Sequence, residues 1–388
     1  MNRNPFQFGL PLLPENVVDR EDEVARVKRV LLESGRMFVV GPRRFGKTSI
    51  LRRAVAEAQE ASLPCVFVNA EAYMNLEELA SAIATQATKL LPTSLRERIA
   101  LATKWFAHLQ PQVSYDPITD NVSVSVRPRE ATPASDTISD VLDAVNQIGD
   151  ERGARIGVLI DEFQELTRRE GIHAERRLRA VTQLHHNMAY VFAGSDTQLM
   201  YAMVSKHNRP FYRSGDVLTV GPVPRPDMEA FLREGFQTIG VAMTDSALEL
   251  IFSLSEDVPY NIQKLAVACY ERAQSTQLAT LSAADVEQAF ESVLARDHAN
   301  YHTLFRSLTP MRRRILYTLT DPALRDATLA AIARKVPAAY STVQAAKNTF
   351  VDEGLIREVH ETLDRPSYRL IDPFMRPWID GFAAGRYA

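Results

Sequence analysis

The sequence predicts an α/β protein with a parallel five-stranded sheet, followed by an all-helical segment and a C-terminal winged helix-turn-helix. Three observations carry that prediction. Five short apolar runs separated by helical stretches recur as far as Val220, which is the pattern of a parallel sheet with crossover helices. A Gly-rich loop, Gly41 to Thr48, lies between the first run and a helix. The pattern becomes helical after Pro222 and changes again at Thr309. At 388 residues the chain is too long for one compact core, and at roughly 100–200 residues per domain it suits two or three. The expected divisions are a core over 1–221, a helical lid over 222–305 and a winged helix over 306–388.

Composition narrows the class. Hydrophobic residues make up 46% and charged ones 24%, which excludes global disorder. Lys and Arg number 45 against 48 Asp and Glu, so the net charge of −3 gives no whole-chain pull toward nucleic acid or a membrane surface. Residues 301–388 hold 13 Lys/Arg and 9 Asp/Glu, a net of +4, which leaves −7 for the rest. Cys65 and Cys269 stand far apart without a CxxC partner, against a disulfide framework or thiolate metal site and in favour of a reducing cytoplasm. No apolar run approaches the roughly 20 residues that span a bilayer, and Met1 to Leu13 lacks the basic start and apolar stretch of a signal peptide. The expectation is a cytoplasmic protein with no membrane partner.

Taken in order, a proline-bearing arm with Pro5, Pro11 and Pro14 leads to a helix from about Asp22 to Leu32, with Val24, Val27, Val30 and Leu31 on one face. Met37–Val40 reads as a strand, and Lys47 to about Gln59 as the helix after the Gly-rich loop. Cys65–Val68, Ile156–Ile160, Tyr190–Ala193 and Val217–Val220 are the other four strands. Between the second and third, Val113–Tyr115, a turn with Asp116, Pro117, Asp120 and Asn121, and alternating Val122, Val124 and Val126 read as a β-hairpin near 112–128. Its alternation suits packing on a neighbour or an edge in an assembly. Pro222, Pro224 and Pro226 make a stiff connector to a purely helical stretch ending near Phe305, with Ser282 and Asp285 as a capping box. Thr309 and Pro310 cap a helix through Leu319, Thr328–Val336 and Ser341–Glu353 are two more, and Gly354 ends the last. Leu355–His360 and Ser367–Leu370 then pair around Asp364-Arg365-Pro366 as the wing.

The chemistry concentrates at the strand ends. Gly41-Pro42-Arg43-Arg44-Phe45-Gly46-Lys47-Thr48 fits G-x-x-x-x-G-K-[ST] between a strand and a helix, where backbone N–H groups and the helix N-terminus cradle phosphate oxygens. In such a loop Lys47 reaches the β- and γ-phosphates and the Thr48 hydroxyl ligates Mg²⁺. The third strand ends in Asp161-Glu162, at the edge where open α/β sheets hold ligands. Asp161 is the direct or second-sphere partner of Mg²⁺, and Glu162 orients or deprotonates the attacking water. Ser195, ending the fourth strand, senses the γ-phosphate, caps the next helix, or does both. Arg213, before the fifth, either brings positive charge to the phosphates, in cis or across an oligomer contact, or is a surface arginine. His185 and His186 would point about 100° apart on a helix and cannot chelate one ion together, so they read as a surface helix.

Gly41 to Ser49, with Arg43-Arg44 inside the loop, and Asp161-Glu162-Phe163-Gln164 together resemble the archaeal-type ATPase family, in the STAND branch of AAA+-related P-loop NTPases. Val17-Val18-Asp19-Arg20-Glu21-Asp22-Glu23 resembles its N-terminal motif, which implies that Arg20 lies beside the nucleotide; Asp19 stands where relatives often have Gly. Val258-Pro259-Tyr260 resembles the lid motif, which implies that Pro259 packs near adenine, with Asp257 in place of the usual glycine. Tyr368 to Trp378 resembles the closing segment of the family's winged helix. The likeness also implies a sheet in which the fourth strand separates the acidic strand from the loop-bearing one.

These readings converge on an ATP-binding, Mg²⁺-dependent ATPase whose nucleotide, ATP or ADP, drives a conformational switch controlling assembly or signalling with a protein partner or further copies. The alternative is a DNA-associated ATPase resembling origin-recognition initiators, with duplex DNA on the winged helix. Ser341, Thr342, Gln344, Lys347 and Asn348 would face the DNA, with Arg312, Arg313, Arg314, Arg334, Lys335 and Arg365 near phosphates, but Asp352 and Glu353 close that helix.

Overall fold

The structure, a computed structural model, describes residues 4–9, 19–90, 94–118, 121–126, 134–324, 327–359 and 367–386. Pro11, Pro14, Val17, Val18, Asp120, His360 and the turn Asp364-Arg365-Pro366 lie outside the described residues. The chain forms two compact units, one of residues 11–221 and one of residues 1–10 with 222–388.

The first unit holds β1 (Arg36–Val40), β2 (Cys65–Asn69), β3 (Gln112–Asp116), β4 (Asn121–Ser125), β5 (Ile156–Asp161), β6 (Met188–Gly194) and β7 (Asp216–Thr219). Strands β2-β5-β6-β1-β7, in that order, make one parallel sheet. β6 therefore lies between acidic β5 and β1, the order the family resemblance implies. β5 and β6 are buried along their whole length, which explains why they read as unbroken apolar runs rather than alternating ones. Each fully buried Val, Ile or Phe contributes about 1.5–3 kcal/mol, so these runs belong at the centre of the sheet. The register matches Val40 with Gly194 and Thr219, and Asn69 with Asp161, so every strand ends at the same edge.

β3 and β4 form an antiparallel hairpin apart from this sheet. Val122, Val124 and Val126 are buried, and the helix Leu76–Lys89 satisfies the outer backbone of β4. Thr85 Oγ1 accepts from Val124 N at 2.9 Å and donates to Val124 O at 3.1 Å, and Ser81 Oγ accepts from Val126 N at 3.0 Å. The apolar face of the hairpin is thus occupied within the chain.

In the second unit, the helices Arg225–Gln237, Asp245–Ser255, Pro259–Thr276 and Ala283–Ser307 pack together, and Ser282 and Asp285 form a capping box. The expectation of a purely helical segment is corrected: β8 (Ala242–Met243) pairs in parallel with β9 (Thr280–Leu281). Two-residue strands stitch helix ends together and leave no periodicity to read. Residues 4–9 also differ from expectation, since they group with this unit rather than with the core. Phe6 packs on Phe231 and Phe236 at ring distances of 5.7 and 4.8 Å. Further on, the helices Pro310–Thr318, Leu329–Lys335 and Tyr340–Asp352 accompany β10 (Ala327–Thr328), β11 (Ile356–Val359) and β12 (Ser367–Leu370), an antiparallel sheet with β12 in the middle. The final helix, Met375–Ala383, buries Trp378, whose Nε1 donates to His298 Nδ1 at 3.2 Å. Among the described residues no helix is long and apolar enough to cross a membrane.

Candidate active site

The Gly-rich loop leaves β1 at Val40 and enters the helix Lys47–Glu60. Arg44 (φ 72°) and Gly46 (φ 89°) both take the left-handed conformation, the kind of backbone from which anion-binding nests are built. Gly46 is the helix N-cap, and no side chain caps it. The dipole of this helix favours a negative charge at its N-terminus.

Around this loop the residues divide into braces and chemistry. Gly41 N donates to Gly194 O at 3.4 Å, tying the loop to β6. Arg20 is buried and donates to Gly221 O at 2.6 Å, Phe45 O at 3.4 Å and Glu23 at 2.7 Å. It holds the loop's backbone in place. The Phe45 and Ser49 side chains are buried, and Arg43 pairs with Glu71 at 2.6 Å on the exposed side. Lys47 Nζ donates to Pro42 O at 2.9 Å. Burial pulls the Lys47 ammonium below its ordinary pKa, against the opposing charges of Glu162 and Asp161.

β5 brings the carboxylates to the same place. Thr48 Oγ1 donates to Asp161 Oδ2 at 2.6 Å, uniting residues 113 positions apart. Burial, with the neighbouring Glu162 charge, lifts the Asp161 carboxyl above its ordinary value, while the Thr48 hydroxyl opposes that. Glu162 has left-handed backbone (φ 51°), which turns the chain sharply off the strand end. Its Oε2 accepts from Ser195 Oγ at 2.6 Å, Ser195 N at 3.1 Å and Gln164 Nε2 at 2.5 Å. Burial works to raise the Glu162 carboxyl, but Lys47 and these donors outweigh it and the net displacement is downward. Two adjacent carboxyls are thus pushed in opposite directions, with Glu162 held ionised, as a general base requires. The hydroxyl of Thr48 and the carboxylate of Asp161 are hard oxygen donors of the kind Mg²⁺ takes, so the residues present fit that ion.

Ser195 does not cap the following helix. That role falls to Asp196, whose side chain accepts from Leu199 N at 2.9 Å, leaving Ser195 on Glu162. Arg213 stands elsewhere: its turn precedes Asp216, and Asp216 pairs with Met37 at the start of β1. It lies at the opposite edge of the sheet, separated from its own loop by a strand length of roughly 13 Å. Phosphate contact in cis is therefore corrected; the exposed guanidinium stacks 5.2 Å from the Tyr212 ring. Pro259 opens the helix Pro259–Thr276 of the second unit, and its assignment to adenine rests on the resemblance. The histidine reading is corrected as well. His185 follows the helix Ile172–Thr182 and is buried between Tyr190 OH (2.6 Å) and Asp143 (2.8 Å). Gln164 closes the Asp161-Glu162-Phe163-Gln164 string, yet no sequence pattern shows that its amide meets Glu162.

Residues 17–265 match a family described as an ATPase domain predominantly from Archaea. Among solved structures, the chain is similar to a Walker-type ATPase of Pyrococcus abyssi, at 17% identity over 97% of this chain and 99% of that one, with a TM-score of 0.63. It is similar to the ORC2 protein of Aeropyrum pernix at 16% identity over 98% and 97% of the two chains, with a TM-score of 0.55. It is also similar to the ORC1 protein of Aeropyrum pernix, solved in complex with DNA, at 15% identity over 95% and 94%, with a TM-score of 0.52. At these identities the likeness concerns the fold alone. A search of curated proteins returned no match.

Proposed function

From the premise that the chain belongs to the ATPase family found predominantly in Archaea, which makes hydrolysis of ATP to ADP and phosphate its reaction, we propose that it is a Mg²⁺-dependent, nucleotide-driven switch of the STAND branch. Its nucleotide state would control self-assembly or a protein partner. The observation that carries this reading is the hydrogen bond from Ser195 to Glu162 at 2.6 Å. In this reading it couples Glu162, which would activate water, to a second strand end, so that loss of the γ-phosphate would be felt on both β5 and β6.

In this reading the loop amides and Lys47 neutralise the terminal phosphates, and Arg20 keeps the loop braced. Gly41 to Ser49 enclose the phosphate chain. Thr48 and Asp161 hold Mg²⁺, which supplies charge neutralisation on the phosphate oxygens when bound. A water oxygen forms a bond to the γ-phosphorus as the bond to the bridging oxygen of ADP breaks, and the proton of that water passes to Glu162. Arg213 acts in trans, on the nucleotide of a second copy. The segments 222–305 and 306–388 are a lid carrying Pro259 and a winged helix.

A second reading rests on the helix Tyr340–Asp352, which leaves Ser341, Thr342, Gln344 and Asn348 exposed, the polar face that a DNA-reading helix presents. Titration of labelled duplex DNA at several salt concentrations, with and without ATP, separates the two. A switch without DNA contact gives no binding at low salt, whereas a DNA-associated ATPase gives binding that falls steeply as salt rises.

A further inference from the structure

Gln164 is almost wholly buried and starts the helix Gln164–Glu170 two residues after Glu162. Its Nε2 donates to Glu162 Oε2 at 2.5 Å and also reaches Ser195 Oγ at 3.5 Å. The Gln164 amide thus closes a triangle whose third side is the bond from Ser195 to Glu162. Three donors converge on Oε2, more than its two lone pairs accept well, whereas Glu162 Oε1 accepts from none of the described residues.

We infer that Gln164 is a positioning residue that locks one oxygen of Glu162 against Ser195 and so leaves the other to take the proton of the attacking water. The inference rests on the ATPase reading above. The left-handed backbone at Glu162 (φ 51°) lets the chain double back so that residue 164 meets residue 162 on the same side. Gly194 makes room: a Cβ there would lie 2.3 Å from Gln164 Oε1 and 2.7 Å from Met200. No chain at position 194 larger than hydrogen is compatible with the amide where it stands. The glycine before Ser195 and the glutamine after Phe163 are two halves of one device, 30 residues apart in sequence.

The test compares Gln164→Met, which keeps length without a donor, Gly194→Ala, which displaces the amide from a distance, and the double variant. Steady-state kcat and KM for ATP are measured beside the dissociation constant of a fluorescent ATP analogue and the thermal midpoint. Each single variant is expected to lower kcat by about tenfold or more, since a misaligned base forfeits much of its contribution. KM and the dissociation constant are expected to stay within about twofold, the signature of an interaction used only in the transition state. The double variant falls no further than the worse single one, because both remove the same contact. An unchanged kcat in Gln164→Met overturns the inference; so does a raised kcat, which means that the clamp parks Glu162, and so does a fall in kcat matched by weaker binding. Glu162→Gln in the same series separates the levels. If it hydrolyses ATP like the wild type, the reading of Glu162 as base fails. If it loses turnover while Gln164→Met does not, only the positioning role fails.

Discussion

Lys47 is buried at the helix start, yet among the described residues its ammonium donates only to the carbonyl of Pro42. Glu162 and Asp161 do not offset the burial of this ammonium, so removing its charge is expected to spare stability. Lys47→Met keeps the length and removes the charge; ATP binding by calorimetry is expected to weaken by about 2–5 kcal/mol while the thermal midpoint holds or rises. A lower midpoint with unchanged affinity contradicts that. The two cysteines are free and buried. Cys65 and Cys269 are both pushed up to about 12 by burial, and the thiolate is the reactive form. At pH 8 the native protein is expected to resist alkylation by iodoacetamide, and the denatured chain to take up two equivalents. Labelling of the native protein at a comparable rate counts against those packed environments.

At the scale of elements, irregular joints are held by specific partners. Asp257 takes the left-handed conformation (φ 56°) just before Pro259, where the resemblance leads one to expect glycine, and Arg225 grips its two oxygens at 2.9 and 3.1 Å. Asp257→Gly relieves the backbone but loses the ion pair, whereas Asp257→Ala loses the pair and keeps the strain. Denaturant unfolding is expected to show the Ala variant less stable than the Gly variant by about 1 kcal/mol; the reverse order contradicts the account. His185 joins the helix Ala134–Arg152, through Asp143, to Tyr190 on β6. Burial depresses its pKa despite Asp143, so the fold favours the neutral ring. The unfolded chain binds the proton more readily, so this contribution is present above the ordinary histidine value of about 6.5 and is lost as pH falls through it. The thermal midpoint is expected to drop between pH 7 and 5, and less so in His185→Gln; equal drops contradict the assignment. The same elements show what was legible. The long apolar runs of β5 and β6 announce themselves, because both faces are buried. The pairing of β8 with β9 is too short to carry a period, and nothing in the sequence signals that the helix before His185 stops at Thr182. The loop-bearing strand and the acidic strand are readable as motifs. That Ser195 reaches the same oxygen of Glu162 as Gln164 depends on how β5 and β6 lie side by side, which no local pattern encodes.

For the whole molecule, the parallel sheet separates two kinds of chemistry. One edge gathers the loop, Thr48, Asp161, Glu162 and Ser195; the other carries Arg213. If Arg213 serves a second copy, the hydrolysis rate per chain rises with protein concentration. Arg213→Ala is expected to flatten that dependence and leave ATP affinity intact, whereas a wild-type rate per chain independent of concentration contradicts action in trans. Whether residues 41–48 enclose the terminal phosphates of ATP is decided by calorimetric titration of ATP with Mg²⁺ into the wild type and Lys47→Ala. One-to-one binding is expected in the wild type and lost in the variant; equal binding by both, or none by the wild type, refutes the enclosure.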